Sequence, residues 1–233
     1  MADVRQRSVL TGMTVLEAMN RNVCRMAADA ALSDCIRQMT RSRDDAVLLE
    51  SAGGDPAGVI SRTDLTGAYY SGLELSTPAA DIMNEVLFCS ETDRIEQVLA
   101  LMGEAGVHRV YIRENDRQVS GIISFTDIVG LLYRYCRACR KSRRRAGDTQ
   151  TGQLPRIRIK EVMTDHVFSC LTGDTIGEAI ELLLCAGTGA VLVVDEASVP
   201  AGVVSKTDVN RAYFLGRGVD DPVGSVMTSP VVS

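Results

Sequence analysis

The chain has 233 residues, 45% of them hydrophobic and 24% charged, with no Trp and a formal net charge of -5. These values describe a globular polypeptide long enough for two compact domains, and exclude a collagenous, low-complexity or highly charged disordered chain. No apolar run reaches the ~18 residues of a membrane span and the polar opening Met1 to Gln6 lacks a signal-peptide pattern, so no membrane span and a cytoplasmic location are expected.

Taken in chain order, the signals recur. A Met after an apolar stretch, followed by a short β-like segment, stands at Met19, Met83, Met163 and Met227. The heptapeptide Gly58-Val59-Ile60-Ser61-Arg62-Thr63-Asp64 returns as Gly121-Ile122-Ile123-Ser124-Phe125-Thr126-Asp127 and as Gly202-Val203-Val204-Ser205-Lys206-Thr207-Asp208. A fixed period of this kind marks a repeat architecture. The Met steps are 64, 80 and 64 residues, so the middle step contains an insert. The reading is repeat 1 over 13–74, repeat 2 over 77–136, a basic linker over 137–156, repeat 3 over 157–217, and the start of an incomplete fourth repeat over 220–233.

Repeat 3 shows the order of elements most clearly. Ala179, Ile180, Leu182, Leu183 and Leu184 form the apolar side of a helix that Asp174 or Thr175 can cap and Gly187 can end. The β-branched run Ala190 to Val194 reads as a strand, Gly202 to Val204 as a second, and a closing helix follows through Tyr213. Each repeat thus reads strand, helix, strand, strand, helix, an α/β (α+β) unit with little core of its own, expected to be marginal alone. Repeats 1 and 2, joined by the short segment Ser71 to Thr77, are the expected partners. Repeat 3 would then lack one, which predicts exposed apolar surface and a homodimer about a two-fold axis.

A Met opening, an apolar helix, a Val-Val-Asp strand and the Gly-x-x-Ser-x-Thr-Asp strand end, in tandem copies, resemble CBS domains, which pair as Bateman modules. The resemblance spans about residues 13 to 233. It implies a regulatory module that binds adenosine-containing ligands (AMP, ADP, ATP or S-adenosylmethionine) in clefts between paired repeats, with no cofactor required. It implies that Asp64, Asp127 and Asp208 accept from ribose hydroxyls. It places Ser61, Ser124 and Ser205, with Thr63, Thr126 and Thr207, near a phosphate. A carboxylate can accept from two vicinal hydroxyls, and a helix start offers free N–H groups to an anion. The same Ser-x-x-Asp is equally a helix-capping box that needs no ligand.

The resemblance also implies a basic pair before the second strand that meets phosphates. Only repeat 2 carries it, as His108-Arg109, where repeats 1 and 3 have Asp45-Ala46 and Gly189-Ala190. Arg engages phosphate in two-pronged fashion at any physiological pH. Six residues after the repeat Met a Ser or Thr is expected near base and ribose; Ser169 fits, whereas Cys89 and Arg25 do not. Two residues earlier Val23, Leu87 and Val167 are candidates for an adenine pocket or for plain core. Unequal sites follow, with ribose contacts from one repeat of a pair and phosphate contacts from the other.

Residues 134 to 160 hold ten Lys or Arg against the single acid Asp148, leaving 15 basic and 29 acidic residues elsewhere. Arg134, Arg137, Lys141 and Arg144 fall at helical spacing, a stripe for nucleic acid, an acidic partner or a nucleotide phosphate, or a solvated helix end. Cys136-x-x-Cys139 has no second pair or nearby His to complete a zinc site, and no thioredoxin-like context. The seven Cys, odd in number and set in apolar segments such as Cys35, Cys89 and Cys185, suit buried thiols rather than a disulfide framework. No His stands in register with the repeated Ser and Asp, so no catalytic triad is expected and the chain reads as a non-enzyme. The alternatives to a ligand sensor are a constitutive interaction scaffold or the regulatory fragment of a longer enzyme or transporter.

Overall fold

The computed structural model describes residues 10–113, 118–134, 158–161 and 163–231. Arg137, Lys141, Arg144, Cys136 and Cys139 lie outside them, so the basic stripe and the paired cysteines belong to the sequence alone. Each repeat follows the expected order. Repeat 1 is β1 (Arg25–Ala27), α1 (Leu32–Ser42), β2 (Ala46–Glu50), β3 (Pro56–Ser61) and α2 (Arg62–Tyr70). Repeat 2 is β4 (Phe88–Cys89), α3 (Ile95–Ala105), β5 (Arg109–Arg113), β6 (Val119–Ser124) and α4 (125–134). Repeat 3 is β7 (Ser169–Leu171), α5 (Ile176–Cys185), β8 (Ala190–Val194), β9 (Pro200–Ser205) and α6 (Lys206–Phe214). Each forms a three-stranded sheet with its strands in sequence order. In repeats 2 and 3 the first strand pairs parallel to the second, and the second antiparallel to the third.

Local chemistry explains the boundaries. Thr175 caps α5 by accepting from Glu178 N at 3.1 Å, while Asp174 accepts from Leu171 N at 2.7 Å and shapes the turn before it. α3 ends at Gly106, whose φ of 64° is the left-handed cap that glycine adopts without strain. The two sequence anchors of the repeat turn out to be one contact. A Cβ built on Gly121 would come within 2.6 Å of Met19 Cε, one on Gly202 within 2.6 Å of Met227 Sδ, and Gly58 is covered by Met83 in the same way. The Met residues thus sit where the strand has no side chain, and the glycine is kept by that close approach.

The chain divides into two compact units. The first comprises Met1–Val23, Gly54–Pro56 and Val86–Ile157, hence repeat 2 with the amino-terminal segment. Asn20 pairs with Ile122 on β6 and Thr14 with Arg94, closing a core that contains Val15, Ile95, Val98, Met102, Val110, Ile112 and Ile123.

The second unit comprises Cys24–Gly53, Ala57–Glu85 and Arg158–Ser233, which unites repeats 1 and 3. Here α2 packs on α6, α1 on α6, and α2 on α5. Equivalent residues face each other. Tyr69 stacks on Tyr213 with ring centroids 4.8 Å apart, and Thr66 Oγ1 donates to Asn210 Oδ1 at 3.1 Å. This corrects the expectation that repeat 3 lacks a partner in the chain, because repeat 1 covers its helices. This pairing rests on complementary helix faces. Apolar surface does remain at Val167 and Leu171, 64% and 44% exposed.

The segment expected to open a fourth repeat instead closes the third. Thr228 pairs with Val203 and Pro222 with Thr175, as Asn84 pairs with Val59 and Pro78 with Ala31 in repeat 1. Among the described cysteines, Cys35, Cys89 and Cys170 are buried and Cys24 is half-buried, but Cys185 is exposed, contrary to its expected place in the core. α5 turns Ile176, Ala179, Ile180 and Leu183 inward, and Cys185 at its last position falls off that stripe. No helix among the described residues is long and apolar enough to cross a membrane.

Candidate functional site

The repeated Ser and Asp form the same structure three times. Ser61 N and Oγ donate to Asp64 Oδ2, both at 2.7 Å; Ser124 N and Oγ donate to Asp127 Oδ2 at 2.9 and 2.5 Å; Ser205 N and Oγ donate to Asp208 Oδ2 at 2.8 and 2.6 Å. Each is therefore a capping box at the start of α2, α4 or α6, and one carboxylate oxygen of each Asp is committed to it. The repeats differ at the other oxygen. Asn84 Nδ2 donates to Asp64 Oδ1 at 2.8 Å, and Thr228 Oγ1 to Asp208 Oδ1 at 3.1 Å. Asn20 holds the equivalent position toward repeat 2, yet its Oδ1 accepts from Asn22 N at 2.9 Å, and no described residue donates to Asp127 Oδ1.

The motif threonines divide in the same way. In the second unit the first residue of each closing helix reaches across to the other helix. Arg62 Nη1 donates to Thr207 Oγ1, and Lys206 Nζ donates to Thr63 Oγ1 at 3.0 Å. Arg62 is anchored further by Asp44 O at 3.0 and 3.2 Å and by Asp45 Oδ1 at 3.1 Å. Burial lowers the pKa of the Lys206 ammonium, opposed by the Asp64 carboxylate. In the first unit Thr126 is exposed and the residue before it is Phe125, which cannot donate such a bond.

The basic pair stands beside this second-repeat motif. Phe125 N donates to His108 O at 3.2 Å, as Arg62 N does to Asp45 O and Lys206 N to Gly189 O, so the three positions are structurally equivalent. Arg109 lies opposite Ser124 in the β5–β6 ladder, and the His108 ring rests 5.8 Å from that of Phe125. His108, Arg109, Ser124, Thr126 and Asp127 thus gather at one end of a single sheet. Ser61, Thr63, Asp64, Ser205, Thr207 and Asp208 gather separately, at the starts of α2 and α6.

The remaining candidates are dispersed. Ser169 and Val167 are exposed at β7, Val23 is half-buried, and Leu87 packs partly against the first unit's core. Strand register corrects the count from the Met anchor. Arg25, Phe88 and Ser169 pair with Leu48, Tyr111 and Leu192, so Phe88 and not Cys89 is the repeat-2 equivalent, and Val86 rather than Leu87 matches Val23 and Val167. Repeat 2 is one residue shorter here, a deletion visible in the parallel runs Val-Cys-Arg, Val-Leu-Phe and Val-Phe-Ser. Phe88 was missed for that reason; its ring lies 3.6 Å under the Arg113 guanidinium. No group of three or more His, Cys, Asp or Glu among the described residues is arranged to hold a metal ion.

Comparison with known proteins agrees with this architecture. The CBS domain family model matches residues 79–134 and 159–215. Protein MJ1225 of Methanocaldococcus jannaschii is 25% identical over 212 residues, which cover 86% of this chain and 69% of that protein. Its crystal structure superposes with a TM-score of 0.71 at 15% identity, over 95% of this chain and 84% of that one. The CBS domain protein PAE2072 from Pyrobaculum aerophilum, complexed with AMP, is similar over 49% of this chain and 89% of its own, with a TM-score of 0.48 and 20% identity. With two repeats matched by the family model and the first tied to them by the same strand order, capping box and Met–Gly contact, the chain is a CBS-domain protein of three tandem repeats, of which repeats 1 and 3 pack together.

Proposed function

We propose that the chain is a regulatory, non-catalytic module that senses an adenosine-containing ligand, with its principal site in repeat 2. One observation carries this reading: of the three motif aspartates, Asp127 alone keeps a carboxylate oxygen without a donor among the described residues, next to the only His-Arg pair. Asp127 Oδ1 accepts from ribose hydroxyls, Arg109 and His108 meet the phosphate, and Thr126 offers its hydroxyl to the same group. In repeats 1 and 3 the same residues are bonded within the protein, which supports a capping and cross-linking role for Asp64, Asp208, Thr63 and Thr207. The ligand acts by binding one arrangement of the chain more tightly than another.

Calorimetry with AMP and adenosine tests the assignment. Asp127→Ala weakens AMP about tenfold or more, the loss of a hydrogen bond to a charged group, whereas Asp208→Ala leaves affinity near that of the wild type. Arg109→Ala weakens AMP but spares adenosine. Unchanged AMP affinity in Asp127→Ala and Arg109→Ala would overturn the site.

A further inference from the structure

The residue after the Met anchor meets the last strand of a repeat in the same way three times. Asn84 exchanges two main-chain hydrogen bonds with Val59, both at 2.9 Å; Thr228 does so with Val203 at 2.8 and 2.9 Å, and Asn20 with Ile122 at 2.8 and 2.9 Å. Beside each, the Met covers the strand glycine, Gly58, Gly202 or Gly121. The backbone thus delivers three side chains to equivalent places beside the motif aspartate. Asn84 and Thr228 use that place to bond Asp64 and Asp208. Asn20 alone turns away, its Oδ1 accepting from Asn22 N at 2.9 Å in a turn of its own loop.

The competing donor is written in the sequence. Two residues beyond Thr228 stands Pro230, which has no N–H, so Thr228 has no such turn to close. Asn22 supplies the N–H in the equivalent place, and Asn20 takes it. Asn20 therefore has two partners around one side chain whose main chain is held still by Ile122. The bond to Asn22 is local and orders little else. The bond to a carboxylate is the stronger type, and it is the one that Asn84 makes.

We propose that Asn20 is a latch on the repeat-2 ligand site. Turned to Asn22, it leaves Asp127 Oδ1 open to a ribose hydroxyl. Turned to Asp127, as Asn84 is to Asp64, it occupies that oxygen and shuts the site. Apparent affinity is then set by the fraction of chains with the latch open, and ligand binding draws Asn20 to Asn22. Repeats 1 and 3 carry the same device held shut. Asn20 acts through Asp127 and is a positioning residue. The effect on affinity rests on the ligand-sensing function proposed above, whereas the latch itself belongs to the ligand-free chain.

Calorimetry of the full chain with AMP compares two variants. Asn20→Thr copies Thr228, holds the site shut about nine-tenths of the time and weakens AMP about tenfold. Asn20→Ala has no donor and binds AMP about twofold tighter than the wild type, as expected when open and shut rotamers are comparably populated. Both keep the main-chain bonds to Ile122 and the circular dichroism spectrum of the wild type. A merely structural role for Asn20 would weaken both variants alike. Weaker binding in Asn20→Ala, or wild-type affinity in Asn20→Thr, would overturn the latch. If the wild type binds no AMP, the ligand-sensing function falls by itself and the latch is read without ligand, from the Asn20 rotamer populations given by three-bond NMR couplings. Two rotamers that collapse to the Asn22-facing one in Asp127→Ala support it; a single rotamer in the wild type, or an unchanged mixture in Asp127→Ala, overturns it.

Discussion

Asp64, Asp127 and Asp208 occupy one position of one motif, yet their surroundings separate them. Capping consumes one oxygen of each; Asn84 and Thr228 consume the second in repeats 1 and 3. Asp208→Ala therefore costs stability, about 1–2 kcal/mol for a lost cap, visible as a lower melting temperature rather than as weaker ligand binding. The motif was legible in the sequence, as was the singular His108-Arg109 pair. The fate of the second oxygen was not, because Asn84 lies 20 residues beyond Asp64 and only the fold shows that Asn20 turns its side chain into its own loop. The cysteines diverge in the same manner. Burial pushes Cys35 and Cys170 to about 11 and Cys89 to about 12, so few thiolates exist at neutral pH. Among the described cysteines, a maleimide reagent at pH 7.5 labels exposed Cys185 first and these three only on unfolding; equal labelling rates in the native protein would contradict their burial.

At the scale of elements, strand and helix order followed from periodicity and caps, since these depend on residues three or four apart. The join between Met and Gly did not. Met227 covers Gly202 from 25 residues away, and the glycine would read as a mere strand-end residue without it. Gly202→Ala places a methyl group against Met227 Sδ and the Thr228 carbonyl, an overpacking cost of about 1–3 kcal/mol. A chemical denaturation midpoint unchanged from the wild type would show that the contact relaxes freely. The α2–α6 pair invites a parallel test. Tyr213→Ala removes the ring stacked on Tyr69 and the hydroxyl bonded to Leu73 O, and lowers stability by about 3 kcal/mol or more.

For the molecule as a whole, the same buried thiols set an alkaline limit. A thiol with an ordinary value of 9.0 that ionises only near 11 or 12 when folded holds its proton more tightly in the native state. Its stabilising contribution is complete below pH 9 and declines as pH rises toward 11. The burial-raised Tyr69, at about 12, extends the same trend upward. The melting temperature falls progressively from pH 9 to 11, and a flat profile across that window would refute it. Charge is also organised globally, since ten of the 25 basic residues lie in 134–160 while the remainder is acidic.

By itself the sequence determined the repeat, its order of strands and helices, the capping boxes and the family, since each depends on patterns within a few turns of chain. Tertiary structure alone decided which repeats share a core and which carboxylate oxygen stays open. Those outcomes rest on contacts between residues 20 to 150 positions apart, such as Thr66 with Asn210 and Arg62 with Thr207. Identical local motifs carry no record of such contacts, because a capping box forms from four consecutive residues whatever packs against it.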